Sequence, residues 1–169
     1  MALPRKLKNM NLFNDGISYA GQIEEVTPPN LSRIMEDWRG GGMNAPIKAD
    51  QGMEALSMEW TCGGFMQEPL HQFGITTHDG VLLRFAGAYQ ADDTGSVDAV
   101  EITVRGRHST IEQGNAKPGE ASPFKVTTEC SYYKLTINGE EVIEIDIINM
   151  IEKVNGVDRL ADQRKAIGL

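Results

Sequence analysis

The residues with the most evident chemical potential are the acids of "ADDTGS", residues 91–96. Asp93-Thr94-Gly95 is the triplet of aspartic proteases, in which two carboxylates share a proton across a close pair. A second copy of the chain could supply the second carboxylate, so a dimeric aspartic-protease-like β enzyme built around Asp93 is one reading. The flanks favour a turn: Ala91 and Asp92 precede the triplet and Ser96 follows it, between two alternating segments, where Asp and Gly are ordinary turn residues. His71, His78 and His108 have no ligand-like spacing with one another or with Cys62 and Cys130, and neither CxxC nor HExxH occurs. No metal or cofactor is expected from them. "RGGGMN", residues 39–44, lacks the following Lys-Ser/Thr of a phosphate loop and reads as a connector. The two cysteines fall on alternating segments, where a free thiol is usually a small core residue. No catalytic residue is nominated.

The elements that must position these residues are short alternating segments separated by turn signals, the pattern of an antiparallel β-sandwich or barrel. Asn14-Asp15-Gly16 and Asn138-Gly139 read as hairpin turns, because Asn, Asp and Gly accept the positive φ of tight hairpins. Strands are expected at 55–62, 81–90, 97–107 and 124–137. In "VEITVRGR", residues 100–107, Val100, Ile102 and Val104 point one way and Glu101, Thr103 and Arg105 the other. In 124–137 the phase breaks: Phe124, Val126, Cys130 and Tyr132 hold even positions, then Tyr133, Leu135 and Ile137 take over at odd ones. This predicts a bulge near Tyr132. The expected core is Leu56, Met58, Trp60, Phe85, Val100, Ile102, Val104, Phe124, Val126 and Tyr132. The opposite face carries Ser57, Glu59, Thr61, Arg84, Glu101, Thr103, Arg105, Thr127, Glu129 and Ser131; a solvated sheet face is the commonest fate of such residues.

Helix is scarce. "QEPLHQFG" fits a short one, with Pro69 in the first turn and Gly74 as a stop. "VDRLADQRKAIGL" fits a C-terminal one, with Asp158 near its start and Arg164 and Lys165 near its end, and Leu160, Ala161, Arg164 and Ile167 on its apolar side. Residues 38–52, "WRGGGMNAPIKADQG", read as a long loop, and loops of that length usually bind something. "IDIINMIEKVNGV" crowds Ile145, Ile147, Ile148, Met150 and Ile151 together. A partner surface would account for both segments.

The chain has 169 residues, 40% of them hydrophobic, enough for one domain with its own core. Its 24 acids against 16 bases give a net charge of −8, which argues against a nucleic-acid clamp, since a polyanion is held by Lys and Arg. "MALPRKLKNMNLF" has no apolar run for a signal peptide, no stretch is long enough for a membrane span, and the distant cysteines suit a reduced, cytosolic setting.

Five separated stretches, "MALPRKLKNMNLFNDGISYAG", "ALSMEW" followed by "GGF", "RFAGAYQADDTG", "VEITVRGR" and "YYKLTINGEEVIEIDIINMIEKVNGVDRLADQRKAIGL", together resemble the major tail tube proteins of contractile-tailed phages, the FII family, and their relatives in R-type pyocins. They bracket Met66–Gly80, where no such stretch falls. The resemblance implies a mainly β fold, an antiparallel sandwich or barrel with a short helix and a C-terminal helix, similar to type VI secretion tubes. It implies one tail tube domain over 1–169, with no catalytic residue. It further implies homo-hexameric rings stacked into a tube inside a tail sheath protein, with tape measure protein and DNA passing through the lumen without specific binding. Its place would be the virion tail, after assembly in the bacterial host cytoplasm, and the alternative is the tube of a pyocin-like particle. On that basis the ten polar residues above are expected to line the lumen. Arg39, Met43 and Pro46 of the 38–52 loop, and Ile147, Ile148, Met150, Ile151, Leu160 and Ile167 of the 145–169 segment, are expected at contacts between subunits. Glu59, Glu101 and Glu129 favour a sliding polyanion; whether Arg84 and Arg105 cancel them is the open point.

Overall fold

A computed structural model describes residues 1–169. Strands run in the order β1 (Arg5–Asn14), β2 (Ile17–Ser18), β3 (Ile23–Thr27), β4 (Arg33–Trp38), β5 (Ile47–Met53), β6 (Leu56–Cys62), β7 (Val81–Ala91), β8 (Val97–Glu112), β9 (Phe124–Ile137), β10 (Glu140–Asp146), β11 (Ile151–Val154) and β12 (Val157–Asp158). Helix α1 (Glu68–His71) lies between β6 and β7, and α2 (Ala161–Ala166) ends the chain. All pairings are antiparallel. The main sheet runs β2-β1-β7-β8-β9-β10-β11-β12, and β6 joins β9 to β3. Long β9 makes this fork possible: residues 124–130 pair with β6, and residues 132–137 pair with β10.

The turn chemistry is as the sequence predicts. Asp15-Gly16 and Asn138-Gly139 hold positive φ at both positions, which matches the twist of the strands they join. Asn155-Gly156, between β11 and β12, does the same; this third hairpin lay in a stretch read only for its isoleucines. The phase break in β9 is a bulge at Ser131: Arg105 pairs with Tyr132 and Gly106 with Cys130, leaving Ser131 unopposed.

Alternation builds the core. Leu56, Met58, Trp60, Phe85, Ile102, Val104, Phe124 and Val126 are buried as expected, joined by Leu12, Tyr19, Val81 and Leu83. Tyr133, after the bulge, is buried in place of Tyr132, which turns its hydroxyl outward to donate to Glu144 at 2.7 Å. Val100 is half-buried at the end of the barrel. Cys62 and Cys130 are free, buried thiols, pushed up to about 11 and about 12 by burial and so kept protonated.

Two expectations are corrected. Residues 38–52 are not one long loop: β4 and β5 form a separate two-stranded arm, with only residues 39–46 as its tip. Period-2 patterning was obscured there because no face of the arm is buried in the chain, so β4 shows no in/out alternation. The C-terminal helix is shorter than its 13-residue stretch, because Val157-Asp158 continue the sheet and Asp158 ties Leu160 N and Arg164 at 3.1 and 2.9 Å.

Candidate functional site: the outward sheet face and its supports

Strands β6, β9, β8 and β7 carry a polar face turned away from the core. Cross-strand register places Ser57 opposite Glu129, Glu59 opposite Thr127, Arg84 opposite Thr103 and Arg105 opposite Tyr132. Nine of the ten expected residues therefore share one surface. Ser131 is the exception in character: displaced by the bulge, it is half-buried, and its Oγ lies 2.9 Å from His78 Nδ1 and donates to the His78 carbonyl at 3.3 Å.

The same face holds Arg107, Lys125 and Lys134, which the expectation omitted. Parity could have found them, since Lys125 and Arg107 each neighbour a core residue and Lys134 follows the flipped phase after the bulge. Counting them, the four strands carry Arg84, Arg105, Arg107, Lys125 and Lys134 against Glu59, Glu101 and Glu129, so this face is not acidic. Its charges are paired within the chain. Arg84 donates to Glu101 at 3.1 Å while its guanidinium sits 4.0 Å from the Phe13 ring centre. Lys125 meets Glu59 at 3.2 Å, and Lys134 meets Glu141 of β10 at 3.5 Å. Ser109 donates to Glu129 at 3.1 Å. Arg84, not Arg105, cancels Glu101. Arg105 is exposed and sits over a depression shared with Asp79, Asp146 and Asn149.

Beneath this surface runs a buried polar chain that sequence reasoning missed. Trp60 Nε1 donates to Thr128 Oγ1 at 3.3 Å; Thr128 Oγ1 lies 2.9 Å from His108 Nδ1; His108 Nε2 lies 2.9 Å from Gln72 Oε1. Gln72 Nε2 donates to Asn14 Oδ1 at 2.8 Å and Asp15 Oδ2 at 2.7 Å, while Asn14 Nδ2 donates to Gln72 Oε1 at 2.8 Å and Tyr19 OH at 3.1 Å. One tautomer satisfies every partner: neutral imidazole donating from Nε2 and accepting at Nδ1. Burial drives His108 down to about 4, with Asp15 opposing the shift. Trp60, Thr128, His108 and Asn14 sit at ordinary in-facing strand positions; only their polar types marked them, and their mutual contacts are set by tertiary folding.

Asp93 anchors a turn. Leu3 N donates to its Oδ2 at 3.0 Å, and that N–H foremost holds the carboxyl below the usual range. Asp92 is held low by Lys8 at 2.7 Å. A proton-sharing carboxylate dyad needs one member raised, and the geometry here does the opposite.

The residues expected at contacts divide by exposure. Ile147, Ile148 and Ile167 are exposed, as are Arg39 and Pro46; Met43, Met150, Ile151 and Leu160 are half-buried; Ile145 belongs to the core. The arm adds Ile34, Met35, Trp38 and Ile47, all exposed, with Trp38 at 61%. No helix is long and apolar enough to cross a membrane.

A sheet with one polar face, a barrel-like core and a projecting arm is the fold of contractile injection tubes. It is similar to the sheath–tube terminator of an extracellular contractile injection system, with a TM-score of 0.58 at 9% identity over 76% of this chain and 94% of that one. It is likewise similar to the tube-terminating cap of the anti-feeding prophage, with a TM-score of 0.56 at 11% identity over 76% and 87% of the two chains. More specifically, residues 4–168 match the family model of the phage tail tube protein FII, and the chain belongs to that family. The tail tube protein of Escherichia phage P2 is 51% identical over the full length of both chains, and the major tail tube protein of Serratia phage KSP20 is 34% identical over 100% of this chain and 99% of that one. The chain is a structural component of a phage tail tube.

Proposed function

We propose that all 169 residues form one tail tube domain that assembles as homo-hexameric rings stacked into the inner tube of a contractile tail. Assembly takes place in the host cytoplasm, a sheath protein surrounds the tube, and the lumen carries tape measure protein and then DNA. The observation that carries this reading is the polar face of β6, β9, β8 and β7: a surface whose charges are already paired within the chain can border a water-filled channel without gripping what passes. A head-to-tail contact that closes by rotation makes a ring, and its repetition along the axis makes a filament. Such closure also shelters strand edges that would otherwise template aggregation.

Contacts between subunits fall to the arm, with Arg39, Met43 and Pro46 at its tip, and to the C-terminal segment, with Ile147, Ile148, Met150, Ile151, Leu160 and Ile167. Helix α2 buries none of its own residues, so its apolar side chains gain nothing inside a single chain. Deleting residues 157–169 is therefore expected to abolish tube formation. Electron microscopy of purified protein tests both statements: the intact chain gives hollow tubes of six-fold symmetry and the deletion gives none. Normal tubes from the deletion would defeat the C-terminal assignment, and an intact chain that stays monomeric at all concentrations would defeat the tube reading.

A further inference from the structure

The segment between β6 and β7, Met66–Gly80, crosses the barrel wall as a strap. It is held by apolar contacts of Met66, Leu70 and Ile75 with the core cluster, and by Gln72. The Gln72 amide is fully committed: its oxygen accepts from His108 and Asn14, and its nitrogen donates to Asn14 and Asp15. Both its hydrogen-bonding ends therefore depend on one protonation state of His108. With a proton on Nδ1, that nitrogen can no longer accept from Thr128, whose oxygen already receives the Trp60 N–H, and a cation is created in a site 5% exposed.

We propose that His108 and Gln72 form an acid-released latch, in which the neutral imidazole pins the Met66–Gly80 strap to β8 and its protonation lets the strap lift and the imidazolium hydrate. The charged group facing His108 is Asp15, reached through Gln72; β6 and β9 present only Trp60 and Thr128, and Tyr19 stays a neutral phenol, pushed up to about 12 mainly by burial. The strap brings its own titratable groups. His71 lies 3.3 Å from Gln67, His78 lies 2.9 Å from Ser131, and Glu68 and Asp79 flank them. These are exposed or half-buried, and none lies in the latch. The proposal concerns the single chain and stands apart from ring formation.

The test is amide hydrogen exchange on the unassembled full-length protein between pH 7 and pH 5, corrected for intrinsic exchange, beside an NMR titration of the three histidines. Opening coupled to one proton is expected to rise about tenfold for each pH unit below about 6.5, in strap amides and not in β7 or β9. His108 is expected to titrate well below His71 and His78. His108→Gln, which cannot titrate, is expected to leave strap exchange flat over the same range. A His108→Gln strap that still opens with acid would assign the effect to His71 or His78 and overturn the latch. If that variant does not fold, the wild-type data decide: a His108 that titrates with the other two while the strap stays protected overturns it equally.

Discussion

Gly106 shows how much a single position on β8 can determine. An added Cβ there would overlap the backbone carbonyl of Glu129 on β9, an atom that cannot swing aside. The close approach belongs to the bulge, where the β8–β9 register jumps between Arg105 and Gly106. Gly106→Ala is expected to destabilise the chain by more than about 2 kcal/mol, whereas Gly41→Ala, with open space around it and no positive φ, is expected to leave the melting temperature within a degree or two. Thermal denaturation of both checks this. His108 sets a second expectation at this scale. Its folded value lies below its unfolded one, so the unfolded chain binds more protons between about 6.5 and about 4. Stability from this group is complete above pH 6.5 and falls as the pH drops through that window, by up to about 3 kcal/mol. Urea unfolding at pH 7 and pH 5 measures the loss, and in His108→Gln the part belonging to this histidine is expected to vanish.

At the scale of elements, the arm of β4 and β5 is the piece that a lone chain explains least. An isolated two-stranded hairpin is marginal in water. This one is held to the body by Arg33, which bridges Asp50 on its own partner strand and Glu152 on β11 at 2.8 and 2.7 Å. Trp38 and Ile47, paired in register near the tip, remain largely exposed. If the arm docks on a neighbouring subunit, Trp38→Ala with Ile47→Ala is expected to leave monomer melting nearly unchanged while preventing tubes, read by calorimetry and by sedimentation. Normal tubes from the double variant would remove the arm from the assembly contacts. The arm also marks where the sequence stops being legible. Strands β6, β7, β8 and β9 were visible because one of their faces is buried within the chain, which imposes period-2 alternation. The two Asn/Asp-Gly hairpins were visible because positive φ restricts residue choice, and the bulge because it shifts parity. In β4 and β5 both faces are exposed, so nothing local writes the period. The latch was hidden for a different reason: Asn14, Gln72, His108 and Thr128 are far apart in sequence, and only the closed barrel brings them together.

Over the whole molecule, net charge and local charge point in opposite directions. The chain carries −8 overall, yet the outward face of its four central strands holds five cations and three acids. The sequence argument, that glutamates keep a polyanion sliding, therefore needs restating. What limits adhesion on this face is that Glu101 occupies Arg84, Glu59 occupies Lys125 and Glu141 occupies Lys134. Ion pairs this exposed add little to stability, so altering them should barely affect folding. Their effect on a passing polyanion is larger, because each charge recurs around a ring and unpaired cations gain affinity by releasing counterions from DNA. Glu101→Lys raises the charge of each subunit by two and also frees Arg84. Glu129→Lys does the same opposite Arg107. In a phage carrying both substitutions, tubes of normal length are expected, with DNA ejection slowed and the delay shrinking as salt is raised, since screening weakens every phosphate contact. Ejection kinetics by fluorescence of released DNA, across a salt series, measure this. A salt-independent delay would point to altered tube geometry, and unchanged ejection would mean that these strands do not border the path of the DNA.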